Sequence, residues 1–240
     1  MNKVRNQEEF KAALATGLEN IELQEGLFEL SDVSFVADNI TIKGVDKANC
    51  VLELSKSIYL ENKTINLENL TYTVAAGKGY TEQAFAFIHH AVAFNLKNCN
   101  ADRLRLNVNK ATIDNCDFTL NTNSGFDGYC LYYYGKDNSN VVVKNSRFNT
   151  AGKAIVMYNE GAPILNLDVE KCTFTSSNTS TDKAAIQMHT EYGISGTLDI
   201  NECTATGFAD VNGGLWNEIN NNNGTPTDKF DITVDGIQVH

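Results

Sequence analysis

The chain has 240 residues, 42% of them hydrophobic, with 30 acidic against 19 basic side chains and a formal net charge of −11 at pH 7. That length and apolar content can bury a sizeable core, and the acidic balance argues against docking on nucleic-acid phosphates, which needs a basic surface. No apolar run is long enough to insert across a membrane, the N-terminus lacks the apolar core of a signal peptide, and the two prolines mark no linker.

In chain order, residues 7–17 (Gln7-Glu8-Glu9-Phe10 to Gly17) read as a short amphipathic helix ended by a glycine. Ahead of a run of strands, such a helix would cap the open edge of the first turn. From Ile40 an alternating phrase then recurs: Ile40-Thr41-Ile42, Ile65-Asn66-Leu67, Phe94-Asn95-Leu96, Thr112-Ile113, Val141-Val142-Val143, Leu167-Asp168-Val169, Leu198-Asp199-Ile200 and Phe230-Asp231-Ile232. Alternation indicates strands, and recurrence every few tens of residues indicates a solenoid whose turns bury their apolar sides against each other. A second apolar ladder lies between the copies, at residues 86–89, 130–133, 154–157, 185–188 and 215–218, so the simplest reading has two strands per turn. The closing segment, 213–240, combines an Asn-rich turn at 220–228 with a hairpin around Asp235-Gly236, and Trp216 reads as core within it.

A leucine-rich repeat would explain the tail Ile113-Asp114-Asn115-Cys116-Asp117-Phe118. Most turns lack its leucine pair, however, and a strand stands where such repeats place a helix. The uneven interval between copies also excludes the short hexapeptide turns of left-handed β-helices. From about residue 20 to 240 the chain resembles the right-handed parallel β-helix proteins, the pectate-lyase-like superfamily. The resemblance implies an all-β fold, a single-stranded right-handed parallel β-helix (solenoid) forming one domain over 1–240. It brings no catalytic signature: lyases of that superfamily join a cation or neutralising group to a Lys or Arg base, its hydrolases use clustered aspartates, and neither set is evident. With the abundant Asn and Thr, it leans towards a bacterial envelope or extracellular setting.

Stacking places equivalent residues in columns. Cys99, Cys116, Cys172 and Cys203 share one motif position, with Val45, Leu70 and Ser146 there on other turns. Free cysteine behaves as a small apolar residue and no Cys-x-x-Cys spacing occurs, so the reading is a reduced internal stack. Asn69, Asn98, Asn115 and Asn145 form the neighbouring column, where amides can hydrogen-bond from turn to turn.

Outward columns carry the candidate site. If Ile155 and Met157 point inward, Val156 and Tyr158 point out, with Ile88 and His90, Tyr132 and Tyr134, and Gln187 and His189 as equivalents. That gathers His90, Tyr134, Tyr158 and His189 in one column with Tyr132 and Gln187 beside it. Aromatic faces flanked by amides suit sugar rings, whereas plain aromatic packing on a β surface is the competing reading. Glu160 and Glu191 follow at equivalent positions, and Asp168, Asp199 and Asp231 form a second acidic column; paired carboxylates suit calcium, the one cofactor suggested, against solvated independent acids. His90 or His189 as base, Tyr134 or Tyr158 as acid and Lys153 or Lys183 as charge neutraliser make a catalytic set chemically feasible. Arg103 and Arg105 share one face of a strand that sequence alone does not place. The leading expectation is a glycan-binding or adhesive module without catalysis. A lyase or glycosidase acting on acidic polysaccharide comes second, and a structural or self-assembling solenoid third.

Overall fold

The computed structural model describes residues 1–77, 87–122, 128–178, 183–220, 222 and 229–240, with the backbone alone at 87–89. Among these residues strands dominate and there is one α-helix, Gln7–Ala15, so no helix is long and apolar enough to cross a membrane. The strands form three sheets, and every pairing is parallel except the last hairpin. The first sheet runs from Asn2–Val4 and Asn20–Leu23 through Asn39–Gly44, Thr64–Glu68, Ala93–Lys97, Lys110–Asp114, Ser139–Lys144, Ile164–Glu170 and Ser195–Asn201 to Phe230–Val234 and Ile237–Gln238. The second holds Gly26–Glu29, Cys50–Leu54, Thr71–Val74, Asn100–Ala101, Asp117–Leu120, Arg147–Thr150, Thr173–Ser176 and Thr204–Thr206. The third holds Ile58–Tyr59, Phe87–His89, Leu104–Asn107, Tyr129–Tyr133, Lys153–Met157, Ile186–His189 and Trp216–Ile219. The chain visits the sheets in rotation, so each circuit stacks on the one before, an all-β arrangement compatible with a solenoid.

A full circuit thus has three strands, where the sequence pattern suggested two. The missing strand was hidden inside the recurring phrase, which the structure breaks at Asn69, Asn98, Asn115, Asn145, Lys171 and Glu202, all at positive φ of 51 to 54°. A left-handed residue turns the chain from the first sheet into the second, and Asn tolerates that conformation better than other non-glycine residues. The amide ladder forms over part of this corner: Asn98 Nδ2 donates to Asn69 Oδ1 at 2.8 Å and Asn115 Nδ2 to Asn98 Oδ1 at 3.1 Å. Asn145 leaves the ladder and donates to Asp114 instead.

Register follows the expected marks from Ile42 through Leu67, Leu96, Ile113, Val143 and Val169 to Ile200. It departs at the end, where Val234 rather than Ile232 pairs with Ile200. It also starts earlier, with Ile21 beside Ile42. One apolar core extends from Val4 to Ile232. Inside it Phe118 and Phe148 stack with centroids 4.7 Å apart, and Phe148 and Phe174 at 5.1 Å. All six cysteines are free; Cys99, Cys116 and Cys172 are buried and Cys203 is half-buried. Val45, 45% exposed, lies outside that stack.

The helix buries Phe10, Ala13 and Leu14, and Asn6 caps it by accepting from the Glu9 N–H at 2.9 Å. Gln7 then acts as a surrogate peptide: its carboxamide donates to Glu29 O and accepts from Glu29 N, both at 2.9 Å, which occupies an edge of the second sheet. At the other end, Val234 pairs with Ile237 across Asp235-Gly236, both at positive φ, as that hairpin turn requires. Most of the Asn-rich turn (221 and 223–228), and Ala86 of the second ladder, fall outside the described residues.

The outer face of the first sheet carries a register device that the strand-by-strand reading did not reveal. Lys3, Glu22, Lys43, Glu68, Lys97, Asp114, Lys144 and Glu170 stand in register on successive strands, alternating in sign throughout. Lys43 lies 4.0 Å from Glu68 and Lys144 lies 3.9 Å from Asp114. Opposite charges across paired strands contribute roughly 0.2–1 kcal/mol each, and a slip by one turn would set like against like. Lys97→Glu, between Glu68 and Asp114, is therefore expected to lower the urea midpoint at low ionic strength. In 1 M salt most of that loss should vanish as the charges are screened.

Candidate functional site

The third sheet brings the outward aromatic residues together. Arg105, Tyr132, Val156, Gln187 and Asn217 share one row of the register. Two residues further along each strand, a second row holds Asn107, Tyr134, Tyr158 and His189. In that row Tyr134 and Tyr158 each donate their backbone N–H to the preceding circuit, at Leu106 O and Tyr133 O. The Tyr134 and Tyr158 centroids are 6.2 Å apart, and Tyr158 meets His189 edge-on at 6.1 Å.

His90 does not join this row. The strand Leu104–Asn107, unseen in the sequence pattern, lies between Phe87–His89 and Tyr129–Tyr133, and its register sets Asn107 beside His89. His90 falls one position beyond, at φ 61°, and its ring stacks on Tyr59 at 5.9 Å. Ile88 correspondingly pairs with Leu106, so Phe87 is the backbone equivalent of Arg105 and Tyr132. In a strand a shift of one residue exchanges the two faces, which is why this equivalence failed.

The first row is packed away rather than open. Tyr132, Val156 and Gln187 are buried, and Tyr129, 4.9 Å from Tyr132, completes a small satellite core. Burial pushes the pKa of Tyr132 well above that of an ordinary phenol. Arg105 ties the two rows together: its guanidinium carbon lies 4.9 Å from the Tyr132 centroid and 4.6 Å from that of Tyr134, within cation–π range. Asn159 fixes the loops beneath. It donates to Tyr134 O at 2.7 Å and Gly135 O at 2.9 Å, and accepts from Gly161 N at 2.7 Å. The accessible part of the surface is therefore the half-buried Tyr134, Tyr158 and His189, together with Tyr192, which is 45% exposed and whose ring lies 5.5 Å from that of Tyr158. Tyr192 was missed because a short 3₁₀ turn, Thr190–Tyr192, folds it back beside its neighbours, outside any strand alternation.

Glu160 and Glu191 each engage an aromatic residue of their own circuit. Tyr158 Oη donates to Glu160 at 2.9 Å, and His189 Nδ1 lies 3.2 Å from Glu191 Oε1. Burial, reinforced by Glu160, pushes the Tyr158 phenol upward. Burial pulls the His189 pKa down, with Lys153 and Lys183 adding to the effect and Glu191 opposing it. A neutral His189 donating from Nδ1 to Glu191 carries its lone pair on Nε2. Lys153 pairs in register with Tyr129, and burial lowers its ammonium pKa. Of the candidate catalytic residues, Tyr134, Tyr158 and His189 share one row, Lys153 and Lys183 stand at the opposite, starting end of these strands, and His90 lies apart.

Asp168 and Asp199 pair in register on a different face, that of the first sheet. Burial, then Asp199 and Glu170, raise the pKa of Asp168, while Asp199 accepts from the Thr233 hydroxyl. Asp231 does not extend this pair, since it aligns with Thr197 and Thr233 takes the next place in the column. Among the described residues no group of three or more His, Cys, Asp or Glu side chains is arranged to hold a metal ion.

Because the folded state lowers the His189 pKa, the unfolded chain binds that proton first. The contribution is present above about pH 6.5 and is lost as pH falls from there through the folded value. The urea midpoint of the protein should accordingly fall below about pH 6.5 more steeply than that of His189→Gln; parallel curves would contradict the assignment.

The chain matches no protein-family model, no curated protein and no solved structure.

Proposed function

We propose that the chain is a right-handed parallel β-helix of the pectate-lyase-like kind, acting in a bacterial envelope or outside the cell as a non-catalytic module that binds glycans. The observation carrying this reading is the partly exposed row Tyr134, Tyr158 and His189 on consecutive circuits of one sheet, joined by the exposed Tyr192 from the turn after His189, with neighbouring centroids 5.5 to 6.2 Å apart. Such rings offer apolar faces to sugars, the exposed Glu160 offers an acceptor to their hydroxyls, the buried Glu191 side chain orients His189, and Arg105 and Asn159 hold the arrangement in place. Positioned this way, the surface has a use without any bond being broken.

A second reading, polysaccharide elimination, draws support from His189, whose pKa burial lowers and which stands edge-on to Tyr158. His189 Nε2 would take the proton next to a uronate carboxylate, a C=C bond would form as the glycosidic C–O bond breaks, and Tyr158 would protonate the departing oxygen. One experiment separates the two. The protein is incubated with acidic and neutral polysaccharides, with and without calcium, and followed by affinity-gel retardation and by ultraviolet absorbance of unsaturated product. Retardation without product supports the binding module. Product that disappears in His189→Ala replaces it with the lyase.

A further inference from the structure

The corner between the first and second sheets stacks four of the cysteines as two separate pairs. Register at Lys97–Asp114 and Asn100–Asp117 sets Cys116 on Cys99, and register at Glu170–Asn201 and Thr173–Thr204 sets Cys203 on Cys172. Ser146 stands between the pairs, its hydroxyl accepting from the Cys116 N–H at 3.1 Å. Successive circuits of a parallel stack lie about 4.8 Å apart, inside the roughly 4.4–6.8 Å between α-carbons that a disulfide spans.

The pairs share this geometry and differ in access. Cys99 and Cys116 are 0% and 1% exposed, whereas Cys203 is half-buried. The closing hairpin is the cause. Val234 pairs with Ile200, but the chain then turns back through Asp235-Gly236 to pair Ile237 with Val234, so among the described residues the column ends at Cys203. Cys203 in turn covers Cys172, and its sulfur accepts the Cys172 N–H at 3.4 Å. The hydrogen bond from the Cys172 thiol, with that N–H, outweighs burial and lowers the Cys203 pKa, while the same bond raises that of Cys172. The inner pair is polarised alike, Cys99 downward and Cys116 upward, but it is sealed. Only in the outer pair does the thiol with thiolate character meet solvent, with a second thiol directly behind it.

We propose that Cys172 and Cys203 form an oxidisable dithiol, a modification site for low-molecular-weight disulfides such as oxidised glutathione. Cys203 is the attacking thiol and Cys172 the resolving one. The Cys203 thiolate attacks one sulfur of the reagent, whose S–S bond breaks; a Cys203–glutathione disulfide forms and one glutathione thiolate leaves. Once Cys203 is capped, the hydrogen bond that raised the Cys172 pKa is gone. Cys172 gives up its proton to water, its sulfur attacks Cys203 Sγ, and the second glutathione leaves as thiolate. Two protein thiols and one reagent disulfide become one protein disulfide and two glutathione thiols. The new bond joins two consecutive circuits near the C-terminal end of the stack. The inference is independent of the glycan-binding reading.

The test exposes the reduced, folded chain to oxidised glutathione, quenches with acid, alkylates the remaining thiols and maps the peptides. The wild type should lose two of its six thiols as a Cys172–Cys203 cross-link, at least about tenfold faster than Cys99 and Cys116 are consumed. Cys172→Ser should stop at a glutathione adduct on Cys203, and Cys203→Ser should keep all its remaining thiols. Serine already fills this column at Ser146, so both variants are expected to fold, which circular dichroism checks. Three results overturn the proposal: no thiol lost from the folded wild type, a lasting adduct on wild-type Cys203 without the cross-link, or oxidation of Cys99 and Cys116 at the same rate.

Discussion

Phe148→Ala is expected to be the most damaging single change away from the surface, lowering stability by about 3–5 kcal/mol. Phe148 is 1% exposed and lies between two rings, stacking on Phe118 at 4.7 Å and on Phe174 at 5.1 Å. Its removal takes away the transfer free energy of a buried ring and leaves a cavity. The neighbouring rings cannot close over that cavity, because each is tied to its own circuit by strand pairing at Asp117–Arg147 and Arg147–Thr173. Phe148→Leu, which keeps most of the volume, should cost less than half as much. Urea unfolding of both variants checks the ordering; equal and small losses would mean that the stack is not packed as described.

Tyr158→Ala is expected to weaken glycan binding at the third sheet by tenfold or more while the fold persists. The Tyr158 ring is the hub of the surface, touching Tyr132, Tyr134, His189 and Tyr192 at centroid distances of 5.5 to 6.2 Å. It is only half-buried, so the change costs much of the platform and little of the main core. Tyr158→Phe keeps the ring and loses the hydroxyl with its hydrogen bonding to Glu160 and Tyr192, so it should retain most of the affinity. Affinity gels of the two variants against whichever polysaccharide retards the wild type give the comparison directly. If alanine and phenylalanine behave alike, the ring is not the contact surface.

The repeat itself was legible because burial imposes the same apolar marks on each circuit, and those marks placed the strands from Ile42 to Ile200 in their true register. Where it failed, the cause was a short circuit or a corner. The corner at Asn69, Asn98 and Asn115 splits one phrase into two strands, which only backbone conformation reveals. The strand Leu104–Asn107 contributes two leucines inward and Arg105 and Asn107 outward, too brief a pattern to recognise, and missing it displaced His90 by one residue. The same omission left Arg105 unplaced, although its guanidinium sits against Tyr132 and Tyr134. Alternation correctly grouped Tyr134, Tyr158 and His189, but it could not tell that Tyr132 and Gln187 would be covered. Outward on a strand means exposed only where nothing packs on top. The alternating charges from Lys3 to Glu170 were present in the sequence too, yet residues tens of positions apart form a pattern only after the circuits are set in register.

The central claim is that the aromatic surface of the third sheet binds a glycan, and calorimetric titration of the most strongly retarded polysaccharide into the wild type and Tyr134→Ala/Tyr158→Ala tests it most directly. The account predicts a saturable heat for the wild type and none for a double variant that keeps the wild-type circular dichroism spectrum. Equal affinities for the two proteins would contradict it.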